Sequence, residues 1–241
     1  MNATQSSAHR RKFWVVIPAA GVGARMGAAV PKQYLPLGGR TVIEQTLTRI
    51  CGHPGASGVV VAVAADDSRW ESLRAGCRVP ILDAEGGSAR CHSVLNALDR
   101  LAQQAADDQW VLVHDAARPC VRHADVDRLV EQLWDHPVGG LLAVPVRDTM
   151  KRADDDGTVC ETVERHGLWH ALTPQMFRLG PLRQALRAAL AAGALVTDEA
   201  SAMEFVGEMP RLVLGSADNI KITRPEDLAL AEFYLREQQE Q

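Results

Sequence analysis

Three apolar runs, FWVVI (13–17), VVVAVA (59–64) and WVLVH (110–114), show no alternation of polar with apolar positions. A strand with one wet face alternates, so each run predicts a strand covered on both faces, as in a parallel sheet. In SVLNALDRLAQQA (93–105), Val94, Leu95, Leu98 and Leu101 recur at i, i+1, i+4 and i+7 and predict a helix with one apolar stripe. Strands alternating with helices imply an α/β fold, a mainly parallel sheet flanked by helices, with ligands at the carboxyl ends of the strands.

The rhythm breaks after the strand-like GGLLAVPV (139–146). The following stretch is polar and turn-rich, and Asp156-Gly157 is a hairpin signal, so residues from about 147 to 172 are expected to form a protruding β-arm. Helical patterns resume at LGPLRQALRAALAAG and TDEASAMEFVG, the second opening on an N-cap at Thr197 or Asp198. RLVLG and NIKIT follow, then a helix from about Pro225. Residues 1–12 are expected to be a loose tail on one domain spanning 13–241.

Composition narrows the function. A chain of 241 residues that is 46% hydrophobic can bury a sizeable core. A formal charge of -4 argues against nucleic-acid or membrane-surface partners, which require a basic face. The five cysteines form no CxxC pair and read as reduced packing residues of a cytoplasmic protein.

The chemistry concentrates in PAAGVGARMGAAVPKQYLPLGG (18–39), which follows the first apolar run. Gly21 and Gly23 begin a dinucleotide fingerprint, but position 26 is Met and the first acidic residue at a strand end is Asp66, too distant for a ribose contact. No Gly-Lys-Ser/Thr closes a Walker loop. What remains is a glycine-rich backbone with Arg25 and Lys32, a combination suited to a triphosphate; read alone, the stretch also fits a structural turn. A second glycine pair, GGSARCHSVLNAL (86–98), opens a helix beside the donors Arg90 and Ser93. A third stretch, VLVHDAARP (111–119), puts Asp115 at a strand end, where it could hold Mg²⁺ or cap a turn.

Together these stretches resemble the 2-C-methyl-D-erythritol 4-phosphate cytidylyltransferases of the non-mevalonate isoprenoid pathway. The likeness continues through PVRDTMKR, GLWHALTPQ, TDEASAMEF and ADNIKITRPEDLALAEFYL, in the family's order from about residue 13 to 237. It implies a Rossmann-like nucleotidyltransferase fold and attack by a substrate phosphate on the α-phosphorus of CTP, the co-substrate, with release of pyrophosphate. Arg25 and Lys32 would stabilise the developing charge, and Asp115 would help hold Mg²⁺. Ala19, Ala20, Gly21, Gly23, Gly86 and Ser93 would surround the nucleotide. Arg165 and Lys221 would meet the polyol phosphate, with Arg118 nearby and Thr149, Thr173 and Thr197 as hydroxyl partners. In the family the arm supplies Thr149 and Arg165 to a neighbour's site, so the resemblance implies a homodimer. Ser88-Ala89 stand where many relatives carry acidic residues, and Ala24 where some have a second arginine.

His166 and His170 have the spacing of two ligands on one helix face, but Gly167 and the following Thr-Pro oppose a helix, so no zinc site is expected. ADDDG (153–157) lacks the ligand spacing of a calcium loop and reads as a hairpin tip. Two alternatives accompany the resemblance: a ribitol-5-phosphate cytidylyltransferase, and a catalytically silent nucleotide-binding protein.

Overall fold

The computed structural model describes residues 11–21, 30–73 and 77–240; residues 1–10 of the expected tail, and Gly23, Ala24 and Arg25 of the glycine loop, lie outside them. The chain runs through β1 (Phe13–Pro18), a 3-10 turn (Lys32–Tyr34), β2 (Pro36–Leu37), β3 (Arg40–Thr41), α1 (Val42–Cys51), β4 (Ala56–Val63), α2 (Ser68–Leu73), β5 (Ile81–Glu85), α3 (Arg90–Leu101) and β6 (Trp110–Val113). It continues through α4 (His123–Leu133), β7 (Gly139–Pro145), β8 (Met150–Ala153), β9 (Val159–Val163), β10 (Trp169–Arg178), α5 (Leu179–Ala191), α6 (Glu199–Phe205), β11 (Arg211–Leu214) and α7 (Glu226–Glu237).

The three apolar runs are β1, β4 and β6, adjacent and parallel at the centre of a seven-stranded sheet ordered β11-β7-β10-β6-β1-β4-β5. Their continuous hydrophobicity follows from burial on both faces. Val15 and Ile17 pack into one layer with Ile43 and Leu47 of α1 and Leu129 of α4. Val16 points the other way, into a layer with Val94 and Leu98 of α3 and Leu182 of α5. Helix α1 starts where Thr41 and Glu44 form a reciprocal capping box, worth about 1 kcal/mol. At α6 the cap is Asp198, whose side chain accepts from the Ser201 N–H at 2.9 Å.

The arm is narrower than its polar sequence suggests. β8 and β9 form an antiparallel hairpin turning near Gly157, whose φ of 81° favours glycine. Trp169–Ala171, expected within the arm, instead pair with β7 in the main sheet, where β10 runs antiparallel to both β6 and β7. Pro174 hides this strand from a sequence reading, because proline cannot donate to a ladder. The sheet accommodates it at an irregularity, where pairing with β7 lapses between Ala171 and Gln175. At the other end of the chain, Arg11 and Lys12 are already anchored to backbone carbonyls of Glu131 and Pro54, both at 3.1 Å.

Candidate active site

The carboxyl ends of β1, β5 and β6 open together into a cleft of about 550 Å³. Ala19, Ala20 and Gly21 leave β1 on one wall, and Gly87, Ser88 and Ala89 leave β5 on the other. The two walls touch: a Cβ built on Gly86 would lie 2.0 Å from that of Ala20. Gly86 is therefore a close-approach glycine, with its N–H donating to Val63 at 2.7 Å. Ser93 closes its own loop, accepting from the Gly87 N–H at 3.0 Å and donating to the Ala89 carbonyl at 3.2 Å. Gln33 braces the opposite wall through the Ala19 carbonyl, at 2.7 Å.

Asp115 lies on the cleft floor, almost buried, at the end of β6. Arg90 Nε is 2.8 Å from Oδ1, while Lys221 Nζ and Arg118 Nε are 2.8 and 3.5 Å from Oδ2. Burial alone would raise this carboxyl, but Arg90, Lys221 and Arg118 together hold it well below the usual carboxylate range. Arg90 is itself gripped by Glu199, with Nη1–Oε1 at 2.6 Å and Nη2–Oε2 at 3.1 Å. Lys32, opposite, donates to the Ile222 carbonyl at 3.1 Å, next to Lys221 in the chain. Three cations on two carboxylates leave a positive surplus at the floor before Lys32 is counted, which suits an incoming polyanion.

Of the residues expected at the site, Ala19, Ala20, Gly21, Lys32, Ser93, Asp115 and Lys221 line this one cleft. Arg118 lies beneath it, buried, with Nη1 donating to the Asn219 carbonyl at 2.7 Å. Thr173 is buried too, and its hydroxyl turns to His114 and the Asp115 backbone rather than into the cleft. Thr197 stands just before the α6 cap, bonded through its N–H to Ser201. Thr149 and Arg165 line a separate cavity of about 230 Å³ on the arm, which shares no residue with the cleft of the same chain. Sequence reasoning missed Glu199 and Asn219. Their only signal is position: an acidic residue one place after a helix cap, and an amide two places before a lysine.

No group of three or more His, Cys, Asp or Glu side chains that could hold a metal occurs among the described residues. A magnesium ion does not require one, since it takes one or two carboxylates and completes its shell with water and substrate phosphate. Asp115 is ionised and faces the cleft, but its two oxygens already meet Arg90, Lys221 and Arg118, so it would take that role only by giving up one of these partners.

Glycine-opened backbone, paired cations and one ionised carboxylate at the ends of parallel strands define a nucleotidyltransferase-like α/β protein. Comparison narrows the class. The sequence model of the family IspD, 2-C-methyl-D-erythritol 4-phosphate cytidylyltransferase, matches residues 13–237, and the chain belongs to that family. The enzyme of that name from Pseudomonas putida (strain W619) is 60% identical over 217 residues, covering 90% of this chain and 92% of its own. A crystal structure of 4-diphosphocytidyl-2C-methyl-D-erythritol synthase superposes with a TM-score of 0.82 at 39% identity, covering 93% of this chain and 98% of that one. The Francisella tularensis enzyme superposes with a TM-score of 0.78 at 38% identity, over 92% and 99% of the two chains.

Proposed function

We propose that the cleft joins CTP to 2-C-methyl-D-erythritol 4-phosphate, giving 4-diphosphocytidyl-2-C-methyl-D-erythritol and pyrophosphate for isoprenoid precursor synthesis. An oxygen of the polyol phosphate forms a bond to the α-phosphorus of CTP, and the bond from that phosphorus to the oxygen bridging to the β-phosphate breaks. A phosphate monoester is largely dianionic near neutrality, so the attacking group requires no strong general base. The protein contributes position and charge.

The observation that carries this reading is the convergence of Lys32, Lys221 and Asp115 on one cleft between two glycine-opened backbones. Lys32, with Arg25 of the glycine loop, stabilises charge on the α-phosphoryl group and the leaving pyrophosphate. The backbone of Ala19 to Gly21 and of Gly86, with Ser93, bounds a nucleotide pocket. Lys221, with Arg118 behind it, meets the polyol phosphate. Asp115 would hold Mg²⁺, which when bound neutralises phosphate charge.

The arm completes the site in a homodimer. Thr149 and Arg165 share a cavity away from the cleft of their own chain, which accords with service to a second subunit. Thr197, just before the α6 cap, supplies a further hydroxyl. The protein acts in the cytoplasm as one domain bearing this arm. All five cysteines are free, and no helix among the described residues is long and apolar enough to cross a membrane.

The test is pyrophosphate release from CTP and Mg²⁺ with either 2-C-methyl-D-erythritol 4-phosphate or D-ribitol 5-phosphate. Turnover confined to the first acceptor supports the assignment. Turnover with the second keeps the chemistry and moves the substrate, and none with either overturns the catalytic reading.

A further inference from the structure

His114 lies beneath the cleft, fully buried, and no step above uses it. Its hydrogen bonds are directional. Nε2 lies 3.0 Å from the Arg118 carbonyl, which can only accept, so Nε2 carries the proton. A neutral imidazole carries one N–H, so with the proton on Nε2 the other ring nitrogen, Nδ1, is an acceptor. Nδ1 therefore accepts the hydroxyl proton of Thr173, 2.9 Å away, leaving the Thr173 oxygen to accept from the Asp115 N–H at 3.1 Å.

The circuit closes on itself. Asn219 donates from Nδ2 to the Thr173 carbonyl at 2.7 Å, and its own backbone carbonyl accepts from Arg118 Nη1 at 2.7 Å. Four residues, His114, Thr173, Asn219 and Arg118, thus tie the end of β6 to the stretch of β10 unpaired with β7 and to the segment carrying Lys221. Each link is buried, and from the Arg118 carbonyl through His114 and Thr173 to the Asp115 N–H each fixes the direction of the next.

We infer that His114 is a positioning residue for phosphoryl transfer: through Thr173 on one side and the Arg118 carbonyl on the other, it sets the backbone from which Asp115 and Arg118 project. An ordinary core histidine would need partners only for its own sake. Here both partners lead to a residue at the cleft floor, and the Thr173 hydroxyl, expected from sequence to meet substrate, is committed to the relay instead.

The inference rests on the transfer reading, and the test separates the two: a wild-type enzyme that releases no pyrophosphate defeats the reading, not the relay. With active wild type, Thr173→Val keeps the side-chain shape and removes the hydroxyl, while His114→Gln can keep the donor toward Arg118 and lose the acceptor for Thr173. Each is expected to lower kcat about ten- to a hundredfold, the cost of one unmet buried partner, with KM for CTP shifted less than about threefold. The double variant should fall no further than the worse single variant, because both break one link. Thr173→Ser should restore turnover to within about threefold of wild type. Thermal melting confirms which variants are folded, and the near-isosteric Thr173→Val and Thr173→Ser pair carries the test if His114→Gln unfolds. Turnover of folded Thr173→Val within twofold of wild type, or single losses that multiply in the double variant, would overturn the inference.

Discussion

Arg90 grips Glu199 with both terminal nitrogens, at 2.6 and 3.1 Å, while its Nε reaches Asp115 at 2.8 Å. One guanidinium therefore spans two carboxylates, one at the end of β6 and one opening α6, and Glu199 decides how much of it Asp115 receives. Glu199 is 1% exposed and the Arg90 side chain 26%, so neither charge is well solvated if its partner is removed. Glu199→Ala is expected to destabilise the fold by up to about 3 kcal/mol, toward the lower end for a broken buried pair because Arg90 keeps Asp115. Turnover should fall as well, since Arg90 then crowds the cleft carboxylate. Urea unfolding of Glu199→Ala, Arg90→Ala and the double variant tests this; fully additive costs would show that the two side chains do not act as a pair.

The parts of this network differed in how far they could be read from sequence. Asp115 was legible because a buried apolar run stops there, and β1, β4 and β6 were legible because a short, uninterrupted run rich in β-branched residues suits a strand buried on both faces and little else. β10 was not, since Pro174 interrupts a strand whose irregularity only the neighbouring strands disclose. Glu199 was not, because an acidic residue in a first helical turn already has a sufficient local reason through the helix dipole. Arg90 could be named as a donor but not aimed. Its direction depends on α6 packing near the start of α3, a contact about a hundred residues away along the chain. Thr173 shows the same limit in reverse, for the resemblance set its hydroxyl against substrate while the fold turns that hydroxyl inward.

Gly86 offers a test of the nucleotide wall. A methyl group there would lie 2.0 Å from the Cβ of Ala20 and 3.1 Å from the Val63 carbonyl, so the two walls must separate to admit it. Overpacking of this kind costs about 1–3 kcal/mol. Because Ala20 lines the cleft, Gly86→Ala should weaken CTP binding about tenfold or more while the isolated fold survives. Calorimetric titration with CTP reads this directly. Unchanged affinity in a folded variant would remove this wall from the nucleotide pocket.

Asp227 links acidity to the segment that carries Lys221. Its Oδ2 accepts from the Thr223 N–H at 2.8 Å, the Thr223 hydroxyl at 3.0 Å and the Arg224 N–H at 2.9 Å. Desolvation raises its pKa, but these bonds and the Arg224 charge outweigh it, so the carboxyl is held below its ordinary value. A depressed carboxylate stabilises the fold above its unfolded pKa, near 3.9, and that contribution disappears as pH falls through the folded value. The stability gap between wild type and Asp227→Ala should therefore be about 1 kcal/mol near neutrality and shrink below about pH 4. Urea unfolding across pH checks it, and a gap that widened on acidification would reverse the assigned sign.

Arm sharing makes the sharpest demand, because it predicts activity from two inactive chains. Lys32 lines the cleft, and Arg165 lines a cavity on the arm. If the arm serves the neighbour, Arg165→Ala spoils the partner's site and Lys32→Ala spoils its own. A hybrid dimer then contains one site with an intact cleft and an intact incoming arm, and one site with both defects. Random exchange of equal amounts makes half the dimers hybrid, so the mixture should recover roughly a quarter of wild-type turnover. Were Arg165 to act within its own chain, each hybrid site would keep one defect and no recovery would appear. Mass spectrometry of differentially tagged subunits verifies exchange. Recovery near a quarter supports sharing, and verified exchange without recovery confines Arg165 to its own subunit.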